Sequence, residues 1–177
     1  MSALLTAVLP TPAGDLAVIV DPDDGAVVAS GFSSIADQQS RLPADEQRRA
    51  TVATTDGAMR PVADAVAAYA EGDLGALDAV AVRQPGGPFL QGAWQALREV
   101  KAGDTATYTE LAAGAGNPRA VRAAGSACAR NLVAPFVPCH RIVRTDGTLG
   151  GYYYGLAVKT ALLRHEHALA EDPALFS

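Results

Sequence analysis

A cysteine stands next to a histidine in the apolar segment 136–143, and these two side chains are the strongest candidates for chemistry in the chain. A cysteine acts as a nucleophile only as the thiolate, so it needs a neighbour that accepts its proton or stabilises its charge. His140 is the only nearby side chain whose ordinary pKa suits that task. Because a cysteine is often just a small buried hydrophobic residue, the pair Cys139–His140 alone leaves a catalytic and a structural role open.

Basic residues concentrate around this pair, although the 177-residue chain has a net charge of −5. Residues 1–88 carry 5 Arg against 12 Asp and Glu, so the acidic excess lies in the first half. Residues 117–144 contain no acid and five arginines, namely Arg119, Arg122, Arg130, Arg141 and Arg144. Such a run indicates a polyanionic partner such as DNA, and a solvated basic surface is the alternative explanation.

Composition excludes several other classes of protein. No apolar run approaches the roughly 20 residues of a membrane span, and the N-terminus does not read as a signal peptide. Two cysteines, Cys128 and Cys139, are too few for a disulfide framework, so we expect a reduced thiol in a cytoplasmic protein. Before residue 88 the sequence has no glycine-rich phosphate loop and no metal-ligand spacing.

The first half reads as a small structural domain. Two β-branched runs at 15–20 and 26–32 flank a turn and predict a hairpin, Pro61–Ala70 has helical periodicity, and 77–82 resembles a further strand. Residues 33–58 are weakly helical at best, or a loop. With a boundary at Pro85–Pro88, we expect an α+β protein with domains at 1–85 and 88–177, the first built on a small antiparallel sheet.

The second half predicts helices at 88–100, Tyr108–Ala113 and Asn117–Ala129. Thr107 and Glu110 have the spacing of a capping box for the second of these helices. The short connection to the third helix gives a helix-turn-helix pattern. That third helix is rich in Ala, Gly and Ser, which suits close approach to another helix or to a DNA minor groove and gives little base discrimination.

Two further stretches follow the Cys-His pair. Tyr152, Tyr153 and Tyr154 lie in a glycine-flanked loop and predict a binding wall, with packing over the core as the alternative. A final helix from Leu156 to about Ala170 carries Glu166. Glu166 contributes to chemistry only if it reaches His140 and orients the imidazole.

These motifs together resemble the O6-alkylguanine-DNA alkyltransferase family. The matching segments are Tyr108–Ala112, Gly116–Ala123, Asn131, Pro138–Val143, Gly151–Tyr152, Gly155–Lys159 and Leu162–Glu166. The resemblance covers roughly residues 88–167 in the family's order and spacing, whereas residues 1–85 match only loosely.

The resemblance implies an N-terminal ribonuclease-H-like sheet and direct, single-turnover repair of O6-alkylguanine without a cofactor, with O4-alkylthymine as a further substrate. Some relatives bind zinc near the N-terminus, but we expect no metal here, because both cysteines and all three histidines lie after residue 127. Cys139 would accept the alkyl group from a base flipped out of duplex DNA, His140 would act as base through a bridging water, and Glu166 would hold His140. Asn131 would brace the turn before the active site, and Tyr108 would donate to the purine ring and help to turn its phosphate.

The same resemblance implies a DNA surface and a pocket. The residues implied at the DNA surface are Tyr108, Arg119, Arg122, Ala123 and Ser126, with Arg122 replacing the flipped base in the stack. The residues implied at the pocket are Pro138, Ile142, Tyr152, Tyr153 and Tyr154, with carbonyls of Cys139 and Ile142 accepting from guanine and the Tyr153 amide facing O6. The protein would be monomeric when free, with clustering on DNA left open.

Two positions depart from the family pattern. Tyr153 replaces a usually small or basic residue, and Tyr154 adds a second aromatic ring, so we expect a narrow pocket rim and poor reaction with O6-benzylguanine. Cys128 is interpreted as inert packing. The alternatives are a non-catalytic binder of alkylated DNA, which the presence of Cys139 disfavours, a Cys-His thiol hydrolase, and a helix-turn-helix regulator.

Overall fold

The computed structural model describes residues 1–169, and their contacts form two units. The first contains Met1–Pro85 together with Leu132–Phe136, and the second contains Gly86–Asn131 and residues 137–169. The division into domains at 1–85 and 88–177 stays a prediction, and the sequence gives no sign that Leu132–Phe136 joins the first unit.

The first unit contains a four-stranded sheet, in the order β3 (Ala26–Gly31), β2 (Gly14–Asp21), β1 (Leu4–Thr11) and β4 (Thr51–Ala53). Strands β1, β2 and β3 pair antiparallel, which includes the predicted hairpin. Strand β4 pairs parallel with β1. The α+β class is therefore confirmed, but the sheet is mixed rather than purely antiparallel.

Helices cover this sheet. Residues 33–58 form α1 (Ile35–Ser40), α2 (Ala44–Gln47) and β4, so the segment is more regular than its polar sequence suggests. The predicted helix is confirmed as α3 (Arg60–Ala70), which packs on β1 and buries Val62, Val66 and Tyr69. A 3-10 turn at Gly57–Met59 leads into it.

The strand predicted at 77–82 is wrong. Residues Ala76–Ala79 form a 3-10 helix, in which the amide of Asp78 donates to the carbonyl of Gly75. Only Val82 makes a bridge, parallel to Val27. Turn-closing hydrogen bonds use the amides that a strand would offer to its neighbour, so the apolar run cannot extend the sheet.

Three helices form most of the second unit: α4 (Pro88–Glu99), α5 (Tyr108–Gly114) and α6 (Val121–Ala129). They pack on one another in all three pairs, and the indole Nε1 of Trp94 donates to the carbonyl of Ala127 at 2.9 Å. The capping box of α5 is present in full, with Thr107 and Glu110 each bonded to the other's backbone amide. The helix-turn-helix pattern is therefore held by local hydrogen bonds and by Trp94.

Helix α6 begins later than predicted. The side chain of Asn117 accepts from the amide of Arg119 in a turn, and the first helical residue is Val121. Arg119 and Pro118 therefore precede the helix and Arg130 follows it, so Arg122 is the arginine that α6 itself carries. The Asn-Pro pair forms a separate turn instead of a helix N-terminus.

Short strands β5 (Ala106–Thr107) and β6 (Ile142–Val143) pair parallel, and α7 (Leu156–His165) closes the second unit. The predicted end of α7 near residue 170 is too late, because the helix ends before Glu166, and residue 170 itself lies outside the described residues. Within residues 1–169, no helix has both the length and the apolar character needed to cross a membrane.

Candidate active site

A single 3-10 turn, Cys139–Arg141, carries the candidate nucleophile. Cys139 is 8% exposed and carries a thiol rather than a disulfide. The side-chain amide of Asn131 donates to Sγ of Cys139 at 3.3 Å and to the carbonyl of Val137 at 2.8 Å. Asn131 therefore braces the turn before Cys139 and directs an N–H group at the sulfur, where it would stabilise negative charge.

The imidazole of His140 is fully buried and lies 2.9 Å, through Nε2, from Oε2 of Glu166. Because a carboxylate accepts, this contact assigns the proton of the neutral ring to Nε2 and leaves a lone pair on Nδ1. Nδ1 is buried and has no hydrogen-bond partner within residues 1–169. The ring is therefore held in the tautomer that can accept a proton.

Arg141 completes this arrangement from the other side of the carboxylate. Its Nε and Nη2 donate to the two oxygens of Glu166 at 2.9 and 3.1 Å, and its Nη1 donates to the carbonyl of Val100 at 2.7 Å. Arg141 is 2% exposed, so it is not part of a DNA-facing basic surface. Of the five arginines in residues 117–144, Arg141 therefore belongs to an internal ion pair and not to a basic surface.

Burial and charge together set the protonation of the buried cluster. Burial lowers the pKa of His140, the bond to Glu166 opposes that shift, and the positive charges of Arg141 and Lys159 reinforce it. Burial by itself raises the pKa of Glu166, but hydrogen bonds from His140 and Arg141 hold that pKa well below its ordinary value. The cluster therefore rests as a carboxylate, a guanidinium and a neutral imidazole.

A cavity of about 250 Å³ opens at Cys139. Its lining consists of Tyr108, Gly125, Cys128, Ala129, Cys139, Gly151, Tyr152 and Tyr153. Burial raises the pKa of the Tyr108 hydroxyl, so it remains a hydrogen-bond donor at neutral pH. Cys128 lies in the same wall, and burial raises the pKa of its thiol well above the ordinary value, so it stays protonated.

The three tyrosines form one aromatic group at this cavity. The Tyr154 ring meets those of Tyr152 and Tyr153 edge-on, with centroids 5.8 and 4.9 Å away. Tyr152 and Tyr153 line the cavity, and Tyr153 is 61% exposed. The other predicted pocket residues, Pro138, Ile142 and Tyr154, are not among the lining residues; Pro138 directly precedes Cys139, and the Ile142 carbonyl accepts from Lys159.

The exposed side of α6 carries the candidate DNA-contacting residues. Arg122, Ala123 and Ser126 are exposed, and so is Arg119 in the turn before the helix. Ala124 and Ala127 are buried beneath them. The helix therefore presents one cation and small side chains outward, next to Gly125 and Ala129 of the cavity wall.

Comparison with known proteins agrees with this geometry. A family model for the DNA-binding domain of 6-O-methylguanine DNA methyltransferase matches residues 88–168. The methylated-DNA–protein-cysteine methyltransferase of Salmonella typhimurium is 35% identical over 170 residues, which is 94% of this chain and 97% of that protein. This chain belongs to the methylated-DNA–protein-cysteine methyltransferase family.

Other relatives of this methyltransferase family match over different lengths. The bifunctional transcriptional activator and DNA repair enzyme Ada of Escherichia coli is 53% identical over 81 residues, 46% of this chain, and the match spans only 23% of Ada. The solved O6-methylguanine methyltransferase of Mycobacterium tuberculosis is 28% identical with a TM-score of 0.74, covering 98% of this chain and 99% of that one. A structure of the M. tuberculosis OGT protein in complex with DNA gives a TM-score of 0.73 at 27% identity.

Sequence reasoning missed two buried cations beside the site. The charge pattern assigns Arg141 to the basic surface, although its place within the largely apolar segment 136–143 is a signal of burial. Lys159 was read only as part of a matching segment, and it is also fully buried. Both cations bond to groups at least eight residues away, and spacing in the sequence does not reveal such contacts.

Proposed function

We propose that this protein repairs DNA by moving an alkyl group from O6 of guanine, and from O4 of thymine, onto Sγ of Cys139. The observation that carries the proposal is the geometry of His140, the residue after Cys139: its Nε2 is bonded to Glu166, which Arg141 holds, and its Nδ1 has no hydrogen-bond partner within residues 1–169. Thiolate formation needs a base in that state.

The chemistry is an in-line displacement at the alkyl carbon. Through a bridging water, Nδ1 of His140 takes the thiol proton of Cys139, and the thiolate forms an S–C bond as the C–O6 bond breaks. Guanine leaves with the electron pair, and the proton held by His140 neutralises it. The Tyr108 hydroxyl donates to the purine as negative charge develops there, which lowers the barrier.

The cavity suits one nucleobase. Its volume of about 250 Å³ falls just below the range of roughly 300–1,000 Å³ typical of drug-sized ligands. A base inside a duplex cannot reach a cysteine that is 8% exposed, so the nucleotide must be flipped out of the stack. The thioether formed at Cys139 has no built-in route back to a thiol, so each molecule reacts once and needs no cofactor.

DNA binds along the exposed side of α6 in this proposal. Small residues let the helix backbone approach the minor groove, while Arg119 contacts phosphates and Arg122 fills the space left by the flipped base. Few side chains there can read base edges, so binding is independent of sequence. We place the reaction in the cytoplasm, with a protein that is monomeric when free.

A stoichiometric transfer assay tests the proposal. The protein is incubated with a duplex carrying one O6-methylguanine, and its peptides are then mapped by mass spectrometry. The expected result is one methyl group per protein, on Cys139, and none in the Cys139→Ser variant. Turnover beyond one, or release of the methyl group as a free product, would favour a hydrolase instead.

Cys128 provides a matched control, since it is the second thiol in the same cavity. In the Cys128→Ser variant the methyl group should still be found on Cys139. A methyl group on Cys128 of the unaltered protein would contradict the assignment of the acceptor.

A further inference from the structure

The chain contains two lysines, and they lie in opposite environments. Lys101 is exposed in the turn after α4, whereas Lys159 on α7 is fully buried. A buried ammonium loses its hydration, which costs several kcal/mol unless protein groups replace it. Burial lowers the pKa of Lys159 accordingly. Its surroundings must therefore supply strong compensation.

Among the described residues, backbone carbonyls supply that compensation. Nζ of Lys159 donates to the carbonyls of Ile142, Leu149 and Gly151 at 2.6, 2.5 and 3.2 Å. An ammonium has three N–H donors, so the three acceptors use them all. No carboxylate within residues 1–169 forms an ion pair with Lys159, so the positive charge is not cancelled locally.

The three carbonyls belong to two separate segments of the chain, at Ile142 and at Leu149–Gly151. Ile142 directly follows the turn that carries Cys139 and His140. Leu149 and Gly151 lie across a hairpin-like loop, which the amide of Arg144 closes on the carbonyl of Thr148 at 2.9 Å. Gly151 lines the cavity beside Tyr152. Lys159 therefore links the residue after the Cys139 turn to the segment Leu149–Gly151, which contributes Gly151 to the cavity wall.

The segment Leu149–Gly151 also packs against Tyr108. Gly150 has φ of +73°, and a Cβ added there would come within 3.2 Å of the Tyr108 hydroxyl. An alanine at this position would be strained at this φ, and either the segment Leu149–Gly151 or the Tyr108 ring would have to shift by a few tenths of an ångström. The position of this segment thus depends on Lys159 on one side and on the Tyr108 ring on the other.

We propose that Lys159 is a positioning residue for alkyl transfer, which holds Leu149–Gly151 closed over the Cys139 cavity and directs uncompensated positive charge at the thiol. This inference rests on the proposed function. The ammonium interacts electrostatically with the ionisable groups Cys139, Cys128 and Arg144, and its charge also acts on His140. Positive charge there favours the thiolate, and it favours the neutral form of His140 as the base.

The test uses Lys159→Met, which keeps the length of the side chain and removes its charge and donors. Single-turnover transfer from O6-methylguanine duplex is measured against protein concentration and pH. We expect the rate at saturation to fall about 10²-fold, because misplacement by about 1 Å has that effect. We expect the protein concentration at half-saturation to change less than threefold, because the substitution leaves the proposed DNA-contacting helix α6 unaltered. The pH giving half the maximal rate should rise.

Two other variants complete the test. Lys101→Met removes the exposed lysine and should leave the rate and its pH profile unchanged. Gly150→Ala displaces the same loop while Lys159 is intact, so it should also lower the saturating rate, even if Lys159→Met fails to fold. Its pH profile should stay that of the unaltered protein, because the charge remains.

The outcomes separate the two proposals. If the unaltered protein transfers no methyl group, the proposed function fails and this inference fails with it. If the unaltered protein transfers, the inference alone is overturned by a folded Lys159→Met variant with an unchanged saturating rate and pH profile. A Gly150→Ala variant that reacts at full rate would overturn it as well, because the loop position would then not matter.

Discussion

Replacing Arg141 with methionine and Glu166 with glutamine, singly and together, tests whether these two side chains act as one unit. Each is at most 2% exposed, and N–O distances of 2.9 and 3.1 Å join them. Either single change leaves a buried charge without its partner, which costs about 3–5 kcal/mol of unfolding free energy. The double variant removes both charges together. Its loss should therefore be smaller than the sum of the single losses by about 2–3 kcal/mol.

Urea unfolding at pH 7.5 measures this coupling. The chain has one tryptophan, Trp94, which is 4% exposed in the second unit, so its fluorescence reports on the unit that holds the ion pair. A native stability of about 5–15 kcal/mol leaves room to measure each single variant. Losses that add to within about 0.5 kcal/mol would refute the reasoning, because independent sites behave in that way. Arg141 would then stabilise the protein through Val100 alone.

Three other predictions follow from the same contacts. Burial lowers the pKa of His140, so below about pH 6.5 the unfolded chain binds a proton at this histidine that the folded protein does not. The unfolding free energy should therefore fall by up to about 1.4 kcal/mol for each unit by which the pH is lowered, and urea titrations of His140→Gln should lack this slope. Reaction of Cys139 with O6-benzylguanine, followed by mass spectrometry, should be slow, because Tyr153 narrows the rim of the cavity, and it should be at least about tenfold faster in Tyr153→Ser. Fast labelling of the unaltered protein would contradict a narrow rim. Thr107→Ala removes the capping bond to Glu110 and should lower unfolding free energy by about 1 kcal/mol in urea, with no loss meaning that the bond contributes nothing.

Local signals predict α5 of the second unit correctly, although they place the start of α6 too early and the end of α7 too late. The α5 helix was predicted from Thr107 and Glu110, whose capping bonds span three residues and do not depend on the rest of the fold. The comparisons confirm the family assignment too. The sequence could reveal the family because its motifs lie in short contiguous segments. The roles given to individual residues, including Cys139 and Arg122, stay predictions.

Signals that depend on distant partners were read less well. The run at 77–82 has the composition of a strand, but its pairing depends on whether β3 offers a free edge there, and only Val82 pairs. The parallel partner of β1 is β4, about 47 residues later, and three exposed residues give no periodicity to reveal it. Arg141 illustrates the same limit, since its partner Glu166 is 25 residues away.

The route of the chain between Asn131 and Val137 has a consequence for protein engineering. The chain passes from the second unit into the first at Leu132–Phe136 and then returns. In the first unit the Ser30 amide donates to the carbonyl of Leu132, and the Ser30 hydroxyl donates to the carbonyl of Ala134. In a fragment that begins near residue 86, Val133 and Phe136 would lose the first unit against which they pack. Both side chains are at most 2% exposed in the whole protein, so the fragment would expose them to solvent. Grafting the reactive half onto another protein as a tag therefore requires recoding these apolar positions as polar ones, or supplying the first unit in trans.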